Sequence, residues 1–223
     1  MALSTMVSEM TDKESTVQSP RAVERPAKRD RLIDAAGRLF YERGVERTTL
    51  ADIATTADVP LGNVYYYFKT KDDIVDTVVS TRIAAIEATQ AALTKQYGAP
   101  ADRLKALFKM LPEQAEMIAQ RGCPNGSLCT ELAKRVAGRE PNSARLMQTL
   151  IDWAEQQFQE MGRSDAHELA IEMITSYQGT AVLSHAMASP DLMRQEAVRI
   201  VNWVDELQES TAREIVDLDI QLS

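Results

Sequence analysis

At 223 residues, 44% of them hydrophobic and only 5% aromatic, the chain can bury a sizeable core. Ala, Leu, Ile and Met supply most of that apolar content, a balance that favours helices over strands. Net charge is −8, distributed as −2 over residues 1–20, +1 over 21–75 and −7 over 76–223, so the acid lies mostly outside one near-neutral segment. Cys123 and Cys129 are too few for a disulfide framework, and His167 and His185 lie far from them, which argues against a metal site. No apolar run is long enough to span a membrane and no signal peptide is evident, so a soluble cytoplasmic protein is expected.

Residues 1–26 are rich in Ser, Thr, Glu and Pro without helical periodicity, and a disordered tail is predicted. Arg21, Arg25, Lys28, Arg29 and Arg31 cluster where that tail meets the fold. They read either as a basic arm for a nucleic-acid backbone or minor groove, or as a solvated charge run. A first helix is predicted from Ala27 to Arg43, with Leu32, Ile33, Ala36, Leu39 and Phe40 as its apolar stripe and Gly44 as its stop.

The stretch from Thr48 to Lys71 reads as a helix-turn-helix. Thr48 or Thr49 caps a helix whose inner face is Leu50, Ile53, Ala54 and Ala57. Asp58-Val59-Pro60 breaks it, because proline lacks an N–H and pushes the preceding residue out of helical geometry. A short second helix follows, with Val64 and Phe68 four apart on the inside. A helix cannot bury Tyr65, Tyr66 and Tyr67 together, so at least one phenol faces outward, where a hydroxyl suits a phosphate oxygen. Leu61, Gly62 and Asn63 stand at the end that meets base edges in a recognition helix, and Lys69 and Lys71 add cations. Double-stranded DNA is the partner these residues imply.

A long helix is predicted from Lys71 to Gln96, with Asp72 and Asp73 at its positive end, Ile74, Val78, Ile83, Ile86 and Leu93 inward, and Tyr97-Gly98-Ala99-Pro100 as its stop. Ala101 to Gln120 is helical with a kink or break at Pro112, its apolar side being Leu104, Leu107, Phe108, Leu111, Ala115 and Ile118. Helices follow over about 127–137 and, capped by Asn142 or Ser143, to Met161 with Leu146, Leu150, Trp153 and Phe158 inside. Two long helices finish the chain. One spans Asp165 to Ala188, with Leu169, Met173, Ile174, Tyr177, Ala181 and Ser184 on one stripe. The other begins near Pro190, carries Leu192, Val198, Val201 and Val204 or nearby apolar positions, and extends toward Leu218 unless Ser210-Thr211 interrupts it. The fold class is therefore all-α with about nine helices: a tail over 1–26, a three-helix DNA-binding head over 27–72 and a larger helical domain over 73–223.

Residues 28–75 resemble the N-terminal domain of the tetracycline-repressor (TetR) family. The resemblance rests on Ala35-Ala36, Leu39-Phe40, Gly44, Thr48-Thr49, Asp52-Ile53-Ala54, Ala57, Val59, Gly62, Val64 through Phe68, and Lys71. It implies phosphate contacts from Thr48 or Thr49, Tyr66, Tyr67 and Lys71, and positions at or near base edges for Leu61, Gly62, Asn63 and Tyr65. Asn63 and Tyr67 stand where family members often carry Thr and His. Gly122-Cys123-Pro124-Asn125-Gly126-Ser127-Leu128 looks like a loop of one branch of the family. Tyr177 to Ala181 resembles the small-residue helix centre where two subunits pack, which implies a homodimer through the last two long helices and a palindromic operator.

Seven of the ten methionines lie beyond residue 100, and Met-lined cavities accommodate varied apolar molecules. Phe108, Leu111, Met147, Leu150, Trp153 and Tyr177 either line such a cavity or are ordinary core. Cys123, just before a helix start, is either a reactive thiol or a small buried hydrophobe. The expected function is a ligand-responsive repressor released by a small apolar or electrophilic inducer. A transcriptional activator or a ligand-independent architectural DNA binder is the alternative. No nucleophile triad, phosphate loop or paired catalytic carboxylates point to an enzyme, and no cofactor is implied.

Overall fold

The computed structural model describes residues 27–135 and 144–222, with the backbone alone for 211–222. The expected tail with Arg21 and Arg25, the turn after Arg135 and the cap at Asn142 or Ser143 lie outside the described residues. The elements are α1 (Lys28–Arg43), α2 (Leu50–Ala57), α3 (Leu61–Tyr67), α4 (Lys71–Gln96), α5 (Pro100–Lys109), a 3-10 turn (Leu111–Gln114), α6 (Ala115–Arg121), α7 (Pro124–Arg135), α8 (Ala144–Glu160), α9 (Ala166–Ala186) and α10 (Pro190–Leu222). The fold is all-α, with no strand among the described residues.

Local chemistry accounts for most of the boundaries. The hydroxyl of Thr70 accepts from the Asp73 N–H at 3.1 Å while the Asp73 carboxylate accepts from the Thr70 N–H at 2.9 Å, a reciprocal cap that starts α4. Pro112 produces a break rather than a kink: α5 ends at Lys109 and the chain passes through a 3-10 turn before α6. Ser210 does not interrupt α10, because its hydroxyl donates back to the Leu207 carbonyl at 2.9 Å and leaves the helix intact.

Two apolar clusters fill the molecule. The first takes the inner faces of α1, α2 and α3, with Leu32, Ile53, Val64 and Phe68 among its buried members. It does not end at residue 72, since Ile74, Val78 and Ile83 of α4, Leu128 and Leu132 of α7 and Leu146 of α8 belong to it. The second, from Leu93 onward, joins α5, α6, α8, α9 and α10 around Leu104, Ile118, Phe158, Met173, Met193 and Ile200. Val198, expected on the inward stripe of α10, is 61% exposed. The helix buries Val204 as expected, together with Ala197 and Ile200, and Val198 falls on another face.

The α4 cap gives a pH dependence. The backbone N–H of Thr70 holds the Asp73 carboxyl below its ordinary range. A lowered carboxylate contributes stability above the unfolded value and loses it as pH falls through the folded one. Urea unfolding should show Thr70→Ala costing about 1 kcal/mol at neutral pH. Asp73→Asn should lose less stability than wild type as the pH falls through the carboxylate range (~4).

Candidate functional site

Thr49, not Thr48, caps α2. Its hydroxyl accepts from the Asp52 N–H at 3.1 Å, and the Asp52 carboxylate accepts from the Thr49 N–H at 2.9 Å. The Thr49 hydroxyl also holds the Asp52 carboxyl below its usual range. Thr48 is fully buried and its hydroxyl donates to the Gly44 carbonyl at 2.8 Å, which removes it as a surface contact. The turn is made by Asp58, left-handed at φ 52°, a conformation Asp tolerates better than most residues. Val59 is buried beneath that turn, and its N–H closes it on the Ala54 carbonyl at 3.0 Å. Pro60 then precedes α3.

α3 is anchored from one side. Val64 is fully buried and Phe68 nearly so, with the Arg29 guanidinium 5.6 Å above the Phe68 ring. The opposite face is open: Leu61, Tyr65 and Tyr66 are exposed, Tyr66 by 77%, and Tyr67 stands edge-to-face on Tyr66 at 5.0 Å. A Cβ added at Gly62 would meet nothing within 4 Å, so a partner's backbone could approach there closely. Asn63 is half-buried. Lys69 Nζ donates to the Tyr65 carbonyl at 3.0 Å, and Lys71 Nζ to the Glu46 carbonyl at 3.3 Å, so both cations lie close to the α3 region.

The six residues expected to line a cavity, and Cys123 with them, divide among three places. Phe108, Leu111, Leu150 and Tyr177 come together around a cavity of about 210 Å3 bounded also by Ile86, Thr89, Gln90, Leu107, Met110, Gln114, Asn125 and Ile174. Cys123 and Met147 line a neighbouring cavity of about 590 Å3 with Gln178 and His185. Trp153 belongs to neither: it is buried in the second apolar cluster, with one edge on a shallow groove beside Ala91 and Lys95. Gln90 and Asn125 were missed in the sequence. Gln90 carried a signal, a polar residue on the inward stripe between Ile86 and Leu93.

Tyr177 joins the two cavities. Its hydroxyl donates to Cys123 Sγ at 3.4 Å, and burial raises its pKa, so it remains a donor. The Gly126 N–H and Gln178 Nε2 also point at that sulfur, at 3.4 and 3.6 Å. The loop carrying Cys123 reaches the head as well. Tyr41 of α1 donates to the Gly122 carbonyl at 2.7 Å, and Arg82 of α4 donates to Asn125 Oδ1 at 3.4 Å. From α7, Glu131 accepts from the Glu46 N–H at 2.9 Å, and Arg135 pairs with Glu46 at 2.5 Å and with Asp72 at 3.0 Å.

The histidines stay apart. His167 pairs with Glu155 at 2.7 Å, and His185 Nδ1 lies 3.2 Å from the Ala119 carbonyl. Among the described residues, no three His, Cys, Asp or Glu side chains are grouped to hold a metal ion. No described helix is long and apolar enough to cross a membrane.

A capped helix-turn-helix with an open second helix, set on an all-helical body, defines an all-α helix-turn-helix protein. Residues 32–78 match the profile described as "Bacterial regulatory proteins, tetR family". The chain is 47% identical over 53 residues to the HTH-type transcriptional regulator TtgR of Pseudomonas putida, covering 24% of this chain and 25% of that one. It is 30% identical over 91 residues to the HTH-type transcriptional repressor KstR2 of Mycolicibacterium smegmatis, covering 40% and 44%. These matches span between a quarter and under half of the relatives' lengths. The fold extends further. A TetR transcriptional regulator from Legionella pneumophila superposes with a TM-score of 0.71 at 15% identity over 83% of this chain and 99% of that one. The reduced form of Escherichia coli NemR gives 0.68 at 18% identity, over 79% and 96%. The head, over residues 32–78, thus matches the tetR family model, and the chain as a whole shares the fold of these solved regulators.

Cys129 supplies a reactivity prediction. Burial pushes its thiol up to about 11, which leaves almost no thiolate at neutral pH. Peptide mass mapping after iodoacetamide treatment at neutral pH should find Cys129 unmodified, with labelling only as the pH approaches that value.

Proposed function

We propose that the chain is a homodimeric, ligand-responsive transcriptional repressor acting in the cytoplasm, with residues 27–72 as its DNA-binding head and 73–223 as its ligand-binding and dimerisation part. The reading rests first on α3, whose Val64 and Phe68 are fixed in the core while Leu61, Gly62, Tyr65 and Tyr66 are left open. Leu61, Gly62, Asn63 and Tyr65 would meet base edges in the major groove. Thr49, Tyr66, Tyr67 and Lys71 would hold phosphates, which fix register without reading sequence.

Dimerisation is supported by an unpartnered apolar face on the last two helices. Ile171, Val182 and Leu183 of α9, Met187 just past its end and Val198 of α10 are all more than 40% exposed, and a Cβ at Gly179 would meet nothing within 4 Å. Large apolar residues open to water at that density favour burial, and a small residue at their centre permits close helix approach. A two-fold pair of heads would then read half-sites roughly 34–36 Å apart or a multiple of that.

Release by a small apolar inducer is supported by the 210 Å3 cavity and by its link to the head through Tyr177, Cys123, Gly122 and Tyr41. An inducer would favour a state in which the two α3 helices no longer match the operator, by no more than its differential affinity for the two states.

A mobility shift on DNA upstream of the protein's own gene, backed by selection from random sequence, tests the DNA reading. A specific complex should weaken steeply with salt. Tyr66→Phe should weaken it roughly fivefold, the value of about one hydrogen bond. Failure of both DNA pools to yield a specific complex would end the regulator reading. The dimer is tested separately by sedimentation: Val182→Asp should yield a folded monomer, and an unchanged dimer would move the interface elsewhere.

A further inference from the structure

We infer that the 210 Å3 cavity between α4, α5, α8 and α9 selects an uncharged molecule built on a single ring, carrying one hydroxyl or N–H that donates to Gln90. The inference rests on the reading of that cavity as the inducer site and specifies what the site accepts.

Size sets the first limit. A cavity of ~150 Å3 lined by aliphatic and aromatic side chains takes benzene. At about 210 Å3 this one has room for one ring with small substituents. The lining suits a ring. Phe108 and Tyr177 stand edge-to-face with centroids 6.3 Å apart, and Ile86, Leu111, Leu150 and Ile174 supply aliphatic surface. An aromatic guest gains from such edges and faces beyond the area it buries.

Charge sets the second limit. None of the residues lining the cavity carries a formal charge. Tyr177 does not ionise there, because burial raises its pKa. An ionised carboxylate or ammonium would enter without a counter-charge on the walls, the nearest cation, Arg82, lying behind Asn125 and spent on its Oδ1, and that desolvation outweighs what the apolar walls return.

The polar groups set the third. Gln90 is 7% exposed on an otherwise apolar stripe, a burial that needs a reason. One N–H of its Nε2 donates to the Thr149 carbonyl of α8 at 3.2 Å, which fixes the carboxamide at the junction of the cavity and the groove beside Ala91 and Lys95, with Oε1 as its acceptor. Tyr177 also spends its proton, on Cys123, and keeps only acceptor capacity toward the cavity. Two fixed acceptors beside an uncharged ring-sized space call for a guest that brings a proton. A hydroxyl or N–H on the ring meets that requirement, and a purely hydrocarbon guest offers Gln90 Oε1 no donor.

Calorimetric titration of the full-length protein without DNA, using phenol, toluene, benzoate and benzylammonium as probes, tests the inference. Phenol should bind, toluene roughly fivefold more weakly, and the two ions at least tenfold more weakly than phenol. Gln90→Met should bring phenol down to the toluene level while leaving toluene unchanged. Leu150→Trp, which fills the cavity, should abolish both. Benzoate or benzylammonium binding as tightly as phenol, equal affinity for phenol and toluene, or no phenol binding at all would each overturn the inference in the wild-type protein, whatever the variants do. Because DNA is absent, these results stand apart from whether any guest releases an operator.

Discussion

The hydroxyl of Tyr41 donates to the Gly122 carbonyl at 2.7 Å, and the turn that presents that carbonyl has little freedom. Gly122 sits at φ 80°, and a Cβ there would lie 2.8 Å from Ser127 Oγ, so the position requires glycine twice over. That turn ends α6, starts α7 one residue later and sets Cys123 under the Tyr177 hydroxyl. One fixed bend therefore touches α1 on one side and the cavity wall on the other. α7 runs from it to Glu131 and Arg135, which grip the loop before α2 and the first turn of α4. The orientation of the helix-turn-helix depends on this bend and on the helix it launches.

The contacts across this junction are of two kinds. Leu128 and Leu132 share the apolar cluster of the head, and no small guest in the body could offset the loss of that burial. The polar contacts are partly exposed. Ion pairs of the Arg135 type are worth 0 to ~1 kcal/mol each, and a neutral hydrogen bond about 1. A junction built this way resists separation and yields to a tilt. That is the behaviour a regulator needs if its two recognition helices must change spacing without unfolding the head.

Much of this was legible in the sequence because it is governed by local chemistry. Pro60 after Asp58-Val59, Pro112 inside a helical pattern, and Thr70 three residues before Asp73 each fix a boundary through a missing donor or a reciprocal cap, whatever surrounds them. The choice between Thr48 and Thr49 was also local: only Thr49 has an acid at the third helical position, Asp52. The cavity was half legible. Periodicity tells that Trp153 faces inward on α8 but not which neighbour it meets, and it meets the core rather than the space beside Tyr177. Val198 shows the same limit from the other side, since an apolar residue on a long helix can face a second subunit as readily as its own core. Gln90 went unread because a single polar residue in an apolar stripe acquires meaning only once Thr149 stands opposite it.

A ring-sized guest is small for a switch, and the arithmetic bears on how the switch must be built. Moving a two-state equilibrium from 1:99 to 99:1 takes ~5.5 kcal/mol of differential affinity. The best small ligands gain at most ~1.5 kcal/mol per heavy atom, so a seven-atom guest of the phenol class has a ceiling of ~10 kcal/mol and would have to spend about half of it on that differential. On the proposed reading, a DNA-free protein close to balance between two head orientations, with the operator supplying much of the bias toward one of them, would ease that demand. The partly exposed Arg135, Glu46, Asp72 and Glu131 group is consistent with such a balance, because each contact is weak enough for a single buried hydrogen bond at Gln90 to match it.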